Sequence, residues 1–442
     1  MLASGAPNRL ELTLGLPPSG GMGLTRSKDG LWGPALVGVS AATVVSGLGD
    51  GVALVALPLL AASLDHSPVI VALVMVAQRA PWLFSVVTGA VADRTRLRSF
   101  VAVVEGTRTA LVVLLGVAVA VHFHPLVAVF VVAAGLGTFE SAFFAATGRM
   151  VTAVVQLHHL GRANGYLYAL QMGSEQVAGQ ALGGVLAAVA LSVPFIFDGA
   201  TFGLSALLLV ATALRRHEER QAPPSETMLE GIRMGMHWFA GNAALRAASV
   251  YVAVLAFCQS LVVGVMVLWS LHVLHLSRTG FGLLMGATTA GMVLGALVSG
   301  RGVDRLGTGP MLIIGGTVAA AAYLAAGSTT AAGLAGLFLF IEQAAVAAGS
   351  VANQSMRQIL IPRELLGRVA NVTRSLIYGA IPAGALVGGI LASEFGLRVP
   401  FFAAGGLQLA LVALVGPRMV RLLAAEGPAR SRPGQSQAGA PG

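Results

Sequence analysis

The sequence predicts an all-α polytopic membrane protein, with twelve transmembrane helices in two pseudo-symmetric six-helix bundles. Three observations predict this. Of 442 residues, 56% are hydrophobic and only 10% are charged, against roughly 45–50% apolar and about 25% charged in a soluble domain. The mean hydropathy is +0.82. The apolar residues gather in runs near the roughly 20 residues that cross a bilayer core, and the length leaves room for about a dozen of them. The later runs repeat features of the earlier ones. An ordinary soluble enzyme is excluded, and so is disorder, which needs few apolar residues. The single cysteine, Cys258, excludes an internal disulfide and a multi-cysteine metal site. The long, non-alternating runs exclude an outer-membrane barrel.

Taken in order, residues 1–33 are rich in Gly, Pro and Ser and lack the apolar core of a signal peptide, so they read as a cytoplasmic tail. Apolar runs follow at 34–61, 68–92, 99–121, 125–149, 165–191 and 194–214, and again at 246–274, 279–300, 309–327, 330–355, 367–393 and 399–420. A first bundle thus spans 34–214 and a second 246–420. Residues 215–245, which contain RRHEERQAPPSE, join them as a polar cytoplasmic linker. Residues 421–442 read as a disordered cytoplasmic tail.

Charge sets the orientation. The net charge is +9, and every basic residue except Lys28 is Arg. With the amino terminus inside, 22 basic residues fall in cytoplasmic segments and only Arg278 and Arg398 in outer loops. This asymmetry predicts both termini inside and an even number of spans. Without aromatic interleaving, the excess reads as a topology signal and not as a nucleic-acid surface.

The repeat is visible in ordered matches. Gly89-x-x-x-Asp93-Arg94 ends the second run and Gly300-x-x-x-Asp304-Arg305 the eighth, at an offset of 211. Gly179, Gly183 and Gly184 match Gly384, Gly388 and Gly389 at 205, and Val193-Pro194-Phe195 matches Val399-Pro400-Phe401 at 206. Two parallel six-helix repeats are an architecture of secondary transporters. With GAVADRTRLRSF (89–100) between the second and third runs, the chain resembles the major facilitator superfamily over about residues 34–420. SGLGDGVALVALPLLA (46–61), PFIFDGATFGLSALLL (194–209) and IPRELLGRVAN (361–371) resemble its enterobactin-exporter and macrolide-efflux branch. The resemblance implies alternating access, with helices 1, 4, 7 and 10 lining a cavity and helices 3, 6, 9 and 12 supporting them.

Ionisable residues deep in apolar runs cost about 2.5–3.5 kcal/mol each at the bilayer centre, so they should face the protein interior or a water-filled cavity. On the resemblance, Asp50, Glu140 and Glu342 are proton-coupling candidates. Asp50 lies about 16 residues, roughly 24 Å, into the first run, between Gly49 and Gly51, which permit close helix approach or local unwinding. It is open to proton coupling, to an ion pair with Arg79 or Arg108, or to substrate contact. Glu140 and Glu342 are open to facing each other across the cavity or to bonding neighbouring helices. Glu105 and Arg108 read as supports.

The loop between the second and third runs reads as a cytoplasmic gate of Gly89, Asp93, Arg94 and Arg98, with Asp304 and Arg305 as a weaker second copy. Gly89 permits close helix approach, and Asp93 suits the positive end of a helix, by resemblance the eleventh, where Arg368 and Asn371 stand. Glu175, Gly179, Gly183, Gly184, Arg79, Arg108 and Arg374 read as packing or gating residues. The run 173–184 resembles the glycine-rich motif of the superfamily's antiporters, with Gln180 where that motif has Pro. Asp198 reads as an outer gate or a helix cap. Tyr251, Phe257, Trp269 and Tyr378, with Trp82, are open to lining an apolar cavity or to packing.

No phosphate-binding loop GxxxxGK[ST] occurs, so an ion or substrate gradient must supply energy. No metal spacing and no cofactor are expected. The expected partners are a small-molecule substrate, protons and the lipid bilayer, with the chain as a monomer in the cytoplasmic membrane. The function expected is export of an amphipathic drug, antibiotic or siderophore by proton antiport. A nutrient importer, a lipid or lysolipid translocator and a non-transporting sensor remain as alternatives.

Overall fold

A computed structural model describes residues 33–155, 159–212, 228–361 and 366–426, and the described residues are helical apart from short connections. Proline opens several helices, because the first turn needs no N–H from it. Helix α1 (Pro34–Leu64) begins in this way. It ends where the Asp65 carboxylate accepts the Ser67 N–H at 2.7 Å, which turns the chain into α2 (Pro68–Arg79). Pro81 then imposes a 3-10 turn, Ala80–Phe84, before α3 (Ser85–Arg94). Helices α4 (Leu97–Ala120) and α5 (Pro125–Val154) follow. The run expected as one helix at 165–191 is α6 (Leu160–Met172), a π-helical turn Gly173–Gly179, and α7 (Gln180–Val189). Helix α8 is Val193–Ala211.

The segment expected as a polar linker carries a helix of its own, α9 (Met228–Gly241). Its Trp238 and Phe239 pack against Leu245, Ile361 and Val369. Apolar contact thus holds as a helix a segment whose composition reads as polar. Then come α10 (Ala243–Val263), α11 (Met266–His272), α12 (Arg278–Leu306), α13 (Thr308–Ser328), α14 (Ala332–Leu360), α15 (Leu366–Phe395) and α16 (Val399–Glu426). Residues 421–426, expected in a disordered tail, extend α16. Residues 1–32 and 427–442 lie outside the described residues. Among the described residues, ten helices are long and apolar enough to cross a membrane.

Helices α1–α8 pack mainly on one another, and so do α10–α16. The two groups meet where α2 lies on α15, α7 on α12 and α1 on α11. The apolar cores tell the two ends of the molecule apart. At the end marked by His66 and His272, one core runs through both groups, from Leu57, Leu60 and Val74 to Met266, Leu284 and Tyr323. At the end marked by Arg94, each group has a core of its own: Val39, Val101 and Met150 in the first, and Ala248, Leu312 and Met356 in the second. Among the described residues, the core shared by both groups is the one at the His66 end.

Candidate functional site

The first group holds a cluster of charges centred on α1. Three glycines let other elements approach it. A Cβ on Gly51 would overlap the Glu175 carbonyl of the π turn, one on Gly47 the Ser174 hydroxyl, and one on Gly49 the Asp198 carboxylate and Thr201 hydroxyl of α8. Helix α1 is continuous through these positions, so the glycines around Asp50 serve close approach and not unwinding.

Asp50 faces Arg108 of α4, and the two form an ion pair. The Arg108 side chain is wholly buried, while that of Asp50 keeps 12% exposure. The same guanidinium donates to Ser46 at 2.9 Å and to Glu105 at 3.4 Å, and lies 3.9 Å from the Phe202 ring centroid. Glu105 in turn accepts from Ser205 at 2.9 Å. The helix-3 pair read as supports therefore lies at the centre of the charge cluster. Of the two arginines open to Asp50, Arg108 is the partner.

Arg79 pairs instead with Glu140 at 3.3 Å, with exposures of 17% and 12%. Glu175 sits in the π turn, where Gln176 donates to it at 2.7 Å and Gln180 donates to Gln176 at 2.9 Å. Glu342 lies apart, buried in α14 against the Tyr323 hydroxyl, with Oε1 unpartnered. Glu140 thus answers to Arg79 in the first group, and Glu342 is buried beside Tyr323 in the second. They do not form the pair across a cavity that was left open.

The aromatics divide. Trp269 is fully buried 4.4 Å from Phe401, and Tyr251 is fully buried with its hydroxyl donating to the Leu312 carbonyl at 3.1 Å. Both fill packed interior and not a cavity wall. Phe257 is partly buried, with its carbonyl turned to Gly384. Tyr378 of α15 stacks on Trp82 of the 3-10 turn at 4.9 Å, nearly parallel, and so bridges the two groups beside the Arg79–Glu140 pair. Its partner was legible as a cavity aromatic; the stacking was not.

At the Arg94 end, a Cβ on Gly89 would meet nothing within 4 Å. Gly89 is thus not at a close helix approach in this structure. Arg94, Asp304 and Arg305 are exposed. The side chains of Asp93, Arg368, Asn371 and Arg374 lie outside the described residues, and so does the contact expected between Asp93 and the helix start at Arg368 and Asn371. Arg149, which the sequence reading passed over, donates to the Ala92 carbonyl and, at 3.3 Å, to that of Thr95, holding the end of α3. Gly179 and Gly183 pack on α1, while Gly184 meets the backbone of Gly282 across the two groups.

Asp198 is no helix cap. It lies inside α8, wholly buried, with both carboxylate oxygens unpartnered. Among the described residues no group of three or more His, Cys, Asp and Glu is placed to hold a metal. A groove of about 480 Å³ lies between α12 and α14, lined by Leu276, Leu284, Gly336 and Phe340 among others. It is apolar and far in sequence from the charge cluster, so the cluster is taken as the site.

Packed apolar helices with buried ion pairs, in two helical groups, define a multi-pass membrane protein. The chain belongs to the transmembrane secretion effector family, of major-facilitator type, whose model matches residues 34–433. Solved structures of the same fold include a bacterial homologue of the human lysosomal transporter Spinster, inward-facing and unoccupied. It is 17% identical, with 89% of this chain and 97% of that one covered, at a TM-score of 0.68. The nucleoside transporter NupG is 10% identical, with 88% and 100% covered, at 0.70. A bacterial homologue of the iron transporter ferroportin, inward-facing, is 14% identical, with 88% and 98% covered, at 0.69. Comparison with curated proteins gave no match.

Proposed function

We propose that the protein is a proton-coupled exporter of an amphipathic small molecule, working by alternating access in the cytoplasmic membrane with both termini inside. The observation that carries this reading is the Asp50–Arg108 pair, a partly accessible carboxylate held by a buried cation. Protonation of Asp50 removes its charge and frees Arg108, which changes the contact between α1 and α4. The family's description as secretion effectors supports export. The excess of arginine at the Arg94 end supports placing that end in the cytoplasm. The structure is then inward-open.

Twelve spans follow if Pro68–Arg94 and Leu160–Val189 each cross once as interrupted helices beside the ten long ones. The interrupted pair lies in contact with the opposite group, through α2 on α15 and α7 on α12, as moving parts of a rocking transporter should. The Asp93 loop then serves as a latch that closes the cytoplasmic side, and Asp93→Asn should slow turnover more than it weakens binding.

The test is proton movement in everted vesicles carrying the protein, read with a pH-sensitive dye against siderophores, macrolides and cationic drugs, with Asp50→Asn in parallel. One compound class should collapse the proton gradient in the wild type only. Equal proton movement by Asp50→Asn would overturn the coupling role. No response to any compound would overturn antiport of these classes.

A further inference from the structure

We propose that Asp198 is a second proton-carrying carboxylate of this site, and that Arg108 exchanges between Asp50 and Asp198 while a proton moves between them in the opposite sense. The proposal rests on the coupling reading of Asp50. Its geometric basis is a pair of unmade hydrogen bonds in one buried cluster.

Arg108 uses its two terminal nitrogens on Asp50, Ser46 and Glu105, but its Nε is buried without an acceptor. Asp198 has both oxygens buried without a donor. Orphaned polar groups at such depth are costly and call for an explanation. Here the free donor and the free acceptor are the two ends of one alternative pairing. Helix α8 carries Asp198, Phe202 and Ser205 at i, i+4 and i+7, one face of a helix. Phe202 lies on the Arg108 guanidinium, and Ser205 bonds Glu105. That face therefore points Asp198 at the same cluster. On the other side, the Asp198 carboxylate rests against Gly49, the residue before Asp50.

The charged groups packed around Asp198 are Asp50 from α1 and Glu105 and Arg108 from α4; α7 contributes none. One guanidinium cannot neutralise three carboxylates at this depth, so protons must make up the difference. In the state seen here, Arg108 pairs with the Asp50 carboxylate and Asp198 keeps its proton. In the other state the Asp198 O–H bond breaks, an Asp50 O–H bond forms, and the Asp198 carboxylate accepts from Arg108 Nε. The cluster's net charge is unchanged. Asp50, the more exposed of the two, then passes the proton to water in the cavity.

The test is infrared spectroscopy of the full-length protein in lipid vesicles at neutral pH, reading the carbonyl stretch of protonated carboxylic acids. The spectrum of Asp198→Asn should lack one band present in the wild type. The same band should be missing from Asp50→Asn, because Arg108 released from Asp50 goes over to Asp198 and ionises it. A wild-type band set untouched by Asp198→Asn overturns the proposal. A band that survives in Asp50→Asn overturns the exchange. Should Asp198→Asn fail to fold, Asp198→Glu keeps the acid and should move the band; an unmoved band is equally fatal. These spectra need no substrate, so failure here is separate from the dye assay, which tests the coupling role of Asp50 by itself.

Discussion

In the first helical group, Gly179 of the π turn and Gly183 of α7 lie against the Leu48 and Val52 carbonyls of α1. In the second, Gly384 and Gly388 of α15 lie against the Phe257 and Leu261 carbonyls of α10. The third glycine of each set turns to the opposite group: Gly184 to Gly282, and Gly389 to Pro68, Val69 and Ala72. The backbone contacts are thus repeated. The charges are not. Asp50, Arg79, Glu105, Arg108, Glu140, Glu175 and Asp198 all lie in the first group. In the second, Glu342 is the buried carboxylate among the described residues. A repeat must keep the residues that let backbones touch, since any side chain there collides with a carbonyl. It need not keep buried charges, each of which is expensive in a membrane. The coupling chemistry proposed above is accordingly concentrated in one half.

The largest effect that would sharpen this contrast is at Arg108. Arg108→Met strands Asp50 and Glu105, and losing one partner of a buried pair costs about 3–5 kcal/mol. The purified variant should show a large drop in its thermal midpoint, and an unchanged midpoint would break the claim that the first group is organised by charge. Next come Gly183→Ala and Gly388→Ala, matched positions of the repeat, each of which presses a Cβ onto a backbone carbonyl, of Val52 and Leu261 respectively. Overpacking costs about 1–3 kcal/mol, and the two losses should be similar in thermal unfolding. A cost at one site only would show that the packing repeat is unequal.

A smaller, conformational effect is expected of Gly389→Val, because a Cβ there would already lie 2.7 Å from Ala72. Spin labels on the exposed His66 and His272 positions, with Cys258 replaced, should move apart; an unchanged distance would mean that this contact does not hold the His66 end closed. The smallest effect should be Glu342→Gln. Its Oε1 has no partner to lose, and an amide keeps the contact with Tyr323, so the stability change should be within about 1 kcal/mol. A loss as large as that of Arg108→Met would make the second group chemically equivalent to the first.

Much of this was legible in the chain. Apolar runs, opening prolines and the ordered glycines located the helices and the repeat, and Asp50 stood out because a carboxylate between glycines is unusual in an apolar run. The break in the second run was signalled by Pro81. The π turn, which packs against Gly47 and Gly51 of α1, carried no comparable signal. Helix α9 had a signal, Met-Leu-Glu-Gly-Ile-Arg-Met-Gly-Met-His-Trp-Phe, hidden within a linker that is polar on average. The enclosure of Trp269 and Tyr251 depends on neighbours from α16 and α13 that lie far along the sequence.

By itself the sequence determined the membrane class, the helices and the twofold pattern, because hydropathy, proline and glycine act over one or two turns. The tertiary structure alone decided that Asp50 pairs with Arg108 and Glu140 with Arg79, that Asp198 is stranded beside them, and that the groups share a core at the His66 end. Those outcomes depend on the rotation and depth of helices many residues apart. A shift of one residue, about 100° around an α-helix, would change every partner while leaving the composition of the runs the same.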